Sequence, residues 1–243
     1  MPPTILQTGT DAAASGVTLD LLCGFQARQN GCVIELPHTA QRLLAFLALH
    51  DRPVQRAHVA GTLWIDSSEE HAQAALRTTL WRIRQRAQDL VATTATAMAL
   101  GRHVSVDLHN AGECARRALR WGGSPRSGDV AVLCEAGDLL PDWYDDWLAI
   151  ERERFRQLRL LALDALCEDF REQGRYRDAI VVGMASVAAE PLRESAHRAL
   201  IRAHLEAGNR GEAVRGYELF RSLLQDQLGV SPTPELQALV LPL

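Results

Sequence analysis

Leu76-Arg77-Thr78-Thr79-Leu80-Trp81-Arg82-Ile83-Arg84-Gln85-Arg86 is the stretch whose reading decides the fold. It holds four arginines and no acid. On a helix turning 100° per residue, Leu76, Leu80, Ile83 and Ala87 share one narrow face. Almost opposite lie Ala74, Thr78, Trp81, Arg82 and Gln85, with Arg77 and Arg84 on one flank and Arg86 on the other. One face can bury while the other offers cations and hydrogen-bonding groups. A helix that reads DNA needs that combination: arginine for phosphates and guanine edges, amides and hydroxyls for other base edges. A solvated amphipathic helix with a basic outer face has the same pattern, so the surroundings must decide.

On the N-terminal side, residues 1–16 lack periodicity and read as a flexible tail. Val17 to Phe25 and Cys32 to Leu36 read as strands around the turn-rich Arg28-Gln29-Asn30-Gly31. A helix is expected from about Thr39 to His50, burying Leu43, Leu44, Phe46 and Leu47, and Pro53 ends it. A short second helix follows from Arg56 to Trp64. Ser67 or Ser68 can cap the third, whose first turn holds Glu69 and Glu70, where the helix dipole favours acids. The third helix is the arginine-bearing one, running to about Asp89. Val91–Leu100 and His103–Leu108 then read as a β-hairpin meeting at Gly101-Arg102. Helix-turn-helix followed by hairpin is a winged helix, whose third helix enters the major groove. The expected DNA-facing residues are Arg77, Thr78, Trp81, Arg82, Arg84 and Gln85 within 71–87, and Arg102 at the tip of a 100–103 wing.

On the C-terminal side, Asn110 to Trp121 reads as a helix and residues 122–128 as a turn-rich link. The chain beyond about Leu139 reads as helical. Asp142 to Glu172 has no Gly or Pro and would be about 45 Å long, with room for one break. Leu166, Gly174 and Ala179 match Leu200, Gly208 and Ala213, each 34 residues on. That is the tetratricopeptide period, with glycine in the turn and alanine where the paired helices approach. Tyr176 and Pro191 fit the first copy; Gln225 stands where the second would carry Pro. The expected fold is mostly α with small β elements. An N-terminal winged helix-turn-helix over 17–109 precedes an all-α tetratricopeptide-like domain over 110–243.

Composition sets the bounds. The 243 residues can form one or two domains with a sizeable core. All 26 basic residues are arginine, which suits bidentate phosphate and guanine contacts better than lysine does. The net charge of -4 argues against broad nucleic-acid binding, so its distribution matters. Residues 1–110 carry 9 Arg and 9 acids, residues 111–243 carry 17 Arg and 21 acids. The basic face thus lies in a neutral half, and the acidic half is not expected to bind DNA broadly. Five scattered cysteines without CxxC spacing read as reduced, mostly buried thiols of a cytoplasmic protein. No 18-residue apolar run suggests a membrane span.

With these elements in place, residues 17–243 resemble the SARP-type bacterial transcriptional activators. That family joins an OmpR-like winged helix to a bacterial transcriptional activator domain with tetratricopeptide-like helices. The carrying motifs are Leu63-Trp64, LRTTLWRIRQR at 76–86, LLPDWYDDWLAIERERFRQLR at 139–159, PLRESAHRALIRAHLEAGNRGEAV at 191–214 and LGVSPTPEL at 228–236. Gly101-Arg102-His103-Val104 stands where the family's wing commonly has a Gly-Tyr-Arg-Leu-like run. The resemblance implies a protein that binds repeated sites in double-stranded promoter DNA beside the -35 region and recruits RNA polymerase. It also implies that the activator domain supports homodimerisation and polymerase contact. No receiver, forkhead-associated or ATPase segment is read in the 243 residues, so an inducing signal is expected to act by another route.

Other features receive plainer readings. Trp143 and Trp147 are expected to pack beneath the repeat helices, leaving Asp142, Asp145 and Asp146 solvated. Arg152, Arg154, Arg156 and Arg159, interleaved with Glu151 and Glu153, read as a salt-bridged helix face rather than a second DNA site. His197 and His204 lie seven apart without a third ligand, and His50 and His58 are no better placed, so no metal site is expected. No Gly-rich phosphate loop, GxSxG or HExxH occurs, and neither an enzyme activity nor a cofactor is expected. Two alternatives to a DNA-binding activator stay open here: a protein-interaction scaffold using the repeats, and a regulator sensing a small molecule in the repeat groove.

Overall fold

Three helices and seven short strands make up the first part of the computed structural model, which describes residues 16–120 and 126–240. The chain divides into two compact units between Asp107 and Leu108. The first contains β1 (Val17–Asp20), β2 (Gln26–Gln29), β3 (Cys32–Val33), α1 (His38–Ala48), β4 (Val54–Gln55), α2 (Arg56–Leu63), α3 (Glu69–Arg86), β5 (Val91–Thr93), β6 (Ala97–Leu100) and β7 (Val104–Val106). The second contains α4 (Asp107–Ala118, bar its first residue), α5 (Ser127–Glu135), α6 (Asp146–Glu172), α7 (Tyr176–Ala189), α8 (Glu194–Glu206), α9 (Arg210–Leu228) and α10 (Pro234–Gln237). The expected tail over 1–16 lies outside the described residues except for Gly16, and so do Trp121, the last residue of the expected helix, and Gly122 to Pro125 of the expected link.

In the first unit, α1 buries Leu43, Leu44, Phe46 and Leu47 against α3 and β6. Ser68 caps α3, its Oγ accepting from the His71 backbone N–H, and Glu69 and Glu70 occupy the first turn as the dipole favours. Two sheets flank the helices. One has the order β3-β2-β1-β7, the other β4-β6-β5.

The strand assignments need three corrections. The strand expected over Cys32 to Leu36 stops at Val33, and β2 takes in Arg28 and Gln29 of the expected turn. Val17–Phe25 is not one strand: β1 ends at Asp20, and the chain turns through Cys23 and Gly24, both at positive φ, before β2. Val91–Leu100 and His103–Leu108 do not form the hairpin either. The antiparallel pair is β5 with β6, so the wing turns at Thr94 to Thr96. The Thr94 hydroxyl closes this turn, accepting from the Ala97 N–H at 2.9 Å. β7 leaves the wing and pairs in parallel with β1, Val17 opposite Val104 and Leu19 opposite Val106. Asp107 secures the junction, its two carboxylate oxygens accepting from the Leu21 and Leu22 N–H groups at 2.9 Å each.

The second unit is a stack of helices in which α6 packs on α7, α7 on α8 and α8 on α9. The 34-residue repeat is visible bond for bond. Gly174 and Gly208, at φ of 72° and 79°, close α6 and α8. The next N–H reaches back to the last turn identically in both copies: Arg175 to the Phe170 carbonyl and Asn209 to that of His204, each 2.8 Å. Only a residue tolerant of the left-handed region fits there. Ala179 and Ala213 are fully buried. One core joins Leu133, Leu163, Leu166, Phe170 and Val182. A second joins Ile201, Tyr217, Phe220 and Leu224, and Leu236 of α10 closes it. Thr233 caps α10 and also bonds Glu194, which is how the LGVSPTPEL motif is held.

Sequence reasoning missed α5, whose first residues fall in the expected link. It also began α6 too early, since Asp142 to Asp145 are not helical. Nor are the cysteines mostly buried: Cys114 and Cys167 are, but Cys23 and Cys32 are exposed. Burial pushes the Cys167 thiol up to about 12.

Candidate nucleic-acid interface

α3 is amphipathic in the sense its periodicity predicts. Leu76, Leu80 and Ile83 are buried, as is Ala87 just beyond the helix, and Thr79 joins them. Arg77, Thr78, Trp81, Arg82, Arg84, Gln85 and Arg86 are all exposed. Ala74, placed on the outward face by the 100° wheel, is half-buried.

The outward arginines differ in their engagements. Arg84 donates to the Thr93 hydroxyl at 2.9 Å, tying α3 to β5 beside the wing turn. Arg77, Arg82 and Arg86 have no ion pair or side-chain hydrogen bond among the described residues. The reason is local: no acid occurs from His71 to Gln88, so Arg77 and Arg82 have no i,i+3 or i,i+4 partner, and Asp89, three residues after Arg86, lies beyond the end of the helix, where Ala87 is extended. The Thr78 hydroxyl donates to the Ala74 carbonyl at 3.0 Å, which leaves its oxygen able to accept. Trp81 is 61% exposed in the middle of this polar face.

Arg102 is exposed but not at a hairpin tip. It lies in the turn between β6 and β7, at the far end of β6 from Thr94 to Thr96. Gly101 misled the reading because it is there for another reason. A Cβ at this position would run into the Asp89 carbonyl oxygen, and the Gly101 N–H donates to the Leu90 carbonyl. The glycine permits a close backbone approach rather than a hairpin turn.

The second unit uses its charges differently. On α6, Arg154 pairs with Glu151, and Arg156 with Glu153 and Glu190. Arg156 and Gln157 hold the Glu153 carboxyl well below the usual range, at about 2. Arg152 and Arg159 correct the expectation of one salt-bridged face. Arg152 donates to the Leu139, Leu140 and Trp143 carbonyls. Arg159 is buried and donates to the Leu133 and Cys134 carbonyls at the end of α5. Asp129 accepts two bonds from Arg117, which lower its carboxyl below the ordinary range. Trp143 and Trp147 are half-buried and Tyr144 is 94% exposed. His197 stacks on Phe220 at 4.0 Å and bonds the Pro191 carbonyl, so it is a core residue. Among the described residues no cluster of His, Cys, Asp and Glu could hold a metal ion, and no helix is long and apolar enough to cross a membrane.

The bacterial transcriptional activator domain matches residues 85–241, from the end of α3 through the helical stack. The chain belongs to this family of transcription regulators, in its SARP-type arrangement. It is 30% identical over 215 residues to the regulatory protein AfsR of Streptomyces coelicolor, and 28% over 217 residues to AfsR of Streptomyces griseus. Each match covers 84% of this chain but 21% and 22% of the relative, so the chain spans about a fifth of the length of these proteins. The fold is similar to that of Mycobacterium tuberculosis EmbR, solved in complex with a low-affinity phosphopeptide. The TM-score is 0.68 at 21% identity, over 92% of this chain and 64% of that one.

Proposed function

We propose that this chain is a sequence-specific, non-enzymatic activator of transcription, acting in the cytoplasm. It binds double-stranded promoter DNA through the outer face of α3, and its helical unit engages RNA polymerase. The observation that carries the reading is the outer face of α3, free of acids from His71 to Arg86, with Arg77, Arg82 and Arg86 unpaired among the described residues above a buried Leu76-Leu80-Ile83 seam. Such cations attract phosphates and can fork onto guanine edges. Arg82, central on the outward face, is assigned to base readout, and Arg77 and Arg86 on its flanks to phosphates. Arg84 positions the wing turn at Thr94 to Thr96 as the second contact. Arg102 lies off that turn and is not assigned a wing contact. The acidic balance of residues 111–243 disfavours DNA and suits a basic surface of the polymerase.

Selection of duplexes from a random pool by the full chain tests the first half of this reading. Enrichment of a defined sequence is expected, and a pool that stays random sinks it. Reconstituted transcription from a promoter carrying the selected duplex tests the second half, where an unchanged transcript yield would remove polymerase activation. Sedimentation on duplexes with one or two copies of the site measures whether two chains assemble there.

A further inference from the structure

Trp81 is the one large apolar side chain among the outward residues of α3, and the helix geometry centres it. Arg77 and Thr78 lie one turn before it, and Arg84 and Gln85 one turn after. Among the described residues it stays 61% exposed, although a tryptophan is highly buried on average. Its single indole N–H is a poor match for the two-point patterns by which bases are distinguished, and the arginines and Gln85 already supply such donors. In the major groove the edges of all four base pairs present hydrogen-bonding groups, and the one apolar feature is the C5-methyl group of thymine.

We infer that Trp81 is a thymine-reading residue: its indole packs on a C5-methyl group in the major groove, within a ring of arginine, threonine and glutamine contacts. This inference rests on the reading of α3 as the DNA-facing helix and names what one residue of that face recognises. It adds a preference for A·T pairs at one or two positions to the guanine and phosphate contacts of the arginines.

The test uses the full chain and the duplex it selects. Each thymine is replaced in turn by deoxyuridine, which removes only the methyl group. Kd should rise about fourfold at one or two positions, the value of losing one methylene-sized apolar contact. Trp81→Gln should bind the thymine and deoxyuridine duplexes equally well, while Trp81→Phe keeps part of the difference. Circular dichroism on each variant checks the fold, which an exposed side chain should leave intact. If deoxyuridine changes nothing at any position, or if wild type and Trp81→Gln lose equally at the same thymine, the inference is overturned and DNA binding by α3 survives. Selected sites without thymine would overturn it too. A pool that yields no preferred duplex would overturn the reading of α3 itself, and this inference with it.

Discussion

α3 and α6 each carry four closely spaced arginines, and the two helices put them to opposite uses. On α6, Arg152, Arg154, Arg156 and Arg159 are all engaged by carbonyls or carboxylates of the same unit. On α3, Arg84 alone of Arg77, Arg82, Arg84 and Arg86 has a partner among the described residues, and that partner is a neutral hydroxyl. Residue type is the same; what differs is the company. Glu151 and Glu153 stand three residues from their arginines, whereas the acids of α3 are confined to its first turn. An arginine satisfied within its own unit holds that unit together. One left without a partner keeps its charge for an outside anion.

The contrast can be broken most severely at Arg159. Its replacement by alanine leaves the Leu133 and Cys134 carbonyls without their buried donor. We expect a loss of about 3 kcal/mol, from one to three for each carbonyl stranded. Urea unfolding of the full chain measures it, and a loss below about 1 kcal/mol would remove Arg159 from the framework. At Arg82 the expected effects reverse. Arg82→Ala should leave the urea midpoint unchanged and cost about 1–3 kcal/mol of discrimination between the selected duplex and random DNA. Equal weakening on both would take it out of base readout.

Arg77→Ala should weaken both duplexes alike and lower the slope of log K against log salt by about one unit. Titrations at several salt concentrations read this directly; an unaltered slope would mean that Arg77 touches no phosphate. The smallest effect expected is one of pH. The Glu153 carboxyl is lowered to about 2 by Arg156 and Gln157. Its contribution is complete above the ordinary carboxylate range and is lost as pH falls from about 4.5 towards 2. Urea midpoints at pH 5 and pH 3 should therefore fall further for the wild type than for Glu153→Gln. Parallel curves would show that this exposed pair contributes nothing.

Sequence alone made α3 legible because an 18-residue helix repeats its buried position several times. The 34-residue repeat was legible for a similar reason, since two glycines in the left-handed region leave few alternatives at each turn. The strands of the first unit were not, because β3 to β7 hold two to four residues each and carry no period to read. The wing turn lacks Gly, Pro and Asn; a threonine hydroxyl closes it, and Gly101 drew the turn to the wrong place. On the candidate interface, the outward residues of α3 followed from angle alone, and Arg102 did not because its position depended on the strand pairing. The partners of Arg152 and Arg159 are carbonyls 9 to 26 residues distant, a separation that spacing rules within a helix do not reach.

The parallel pairing of β1 with β7 bears on how the first unit carries mechanical load. In this geometry the N-terminal end of one strand and the C-terminal end of the other lie at opposite ends of the pair. Tension applied between Val17 and Val106 would stretch the β1–β7 bonds together, in shear, instead of unzipping them singly. The Asp107 carboxylate, bonded to Leu21 and Leu22, adds a clamp where the chain leaves the strand. A force-extension trace of the chain held near Gly16 and Leu108 should therefore show the first unit yielding in one abrupt step.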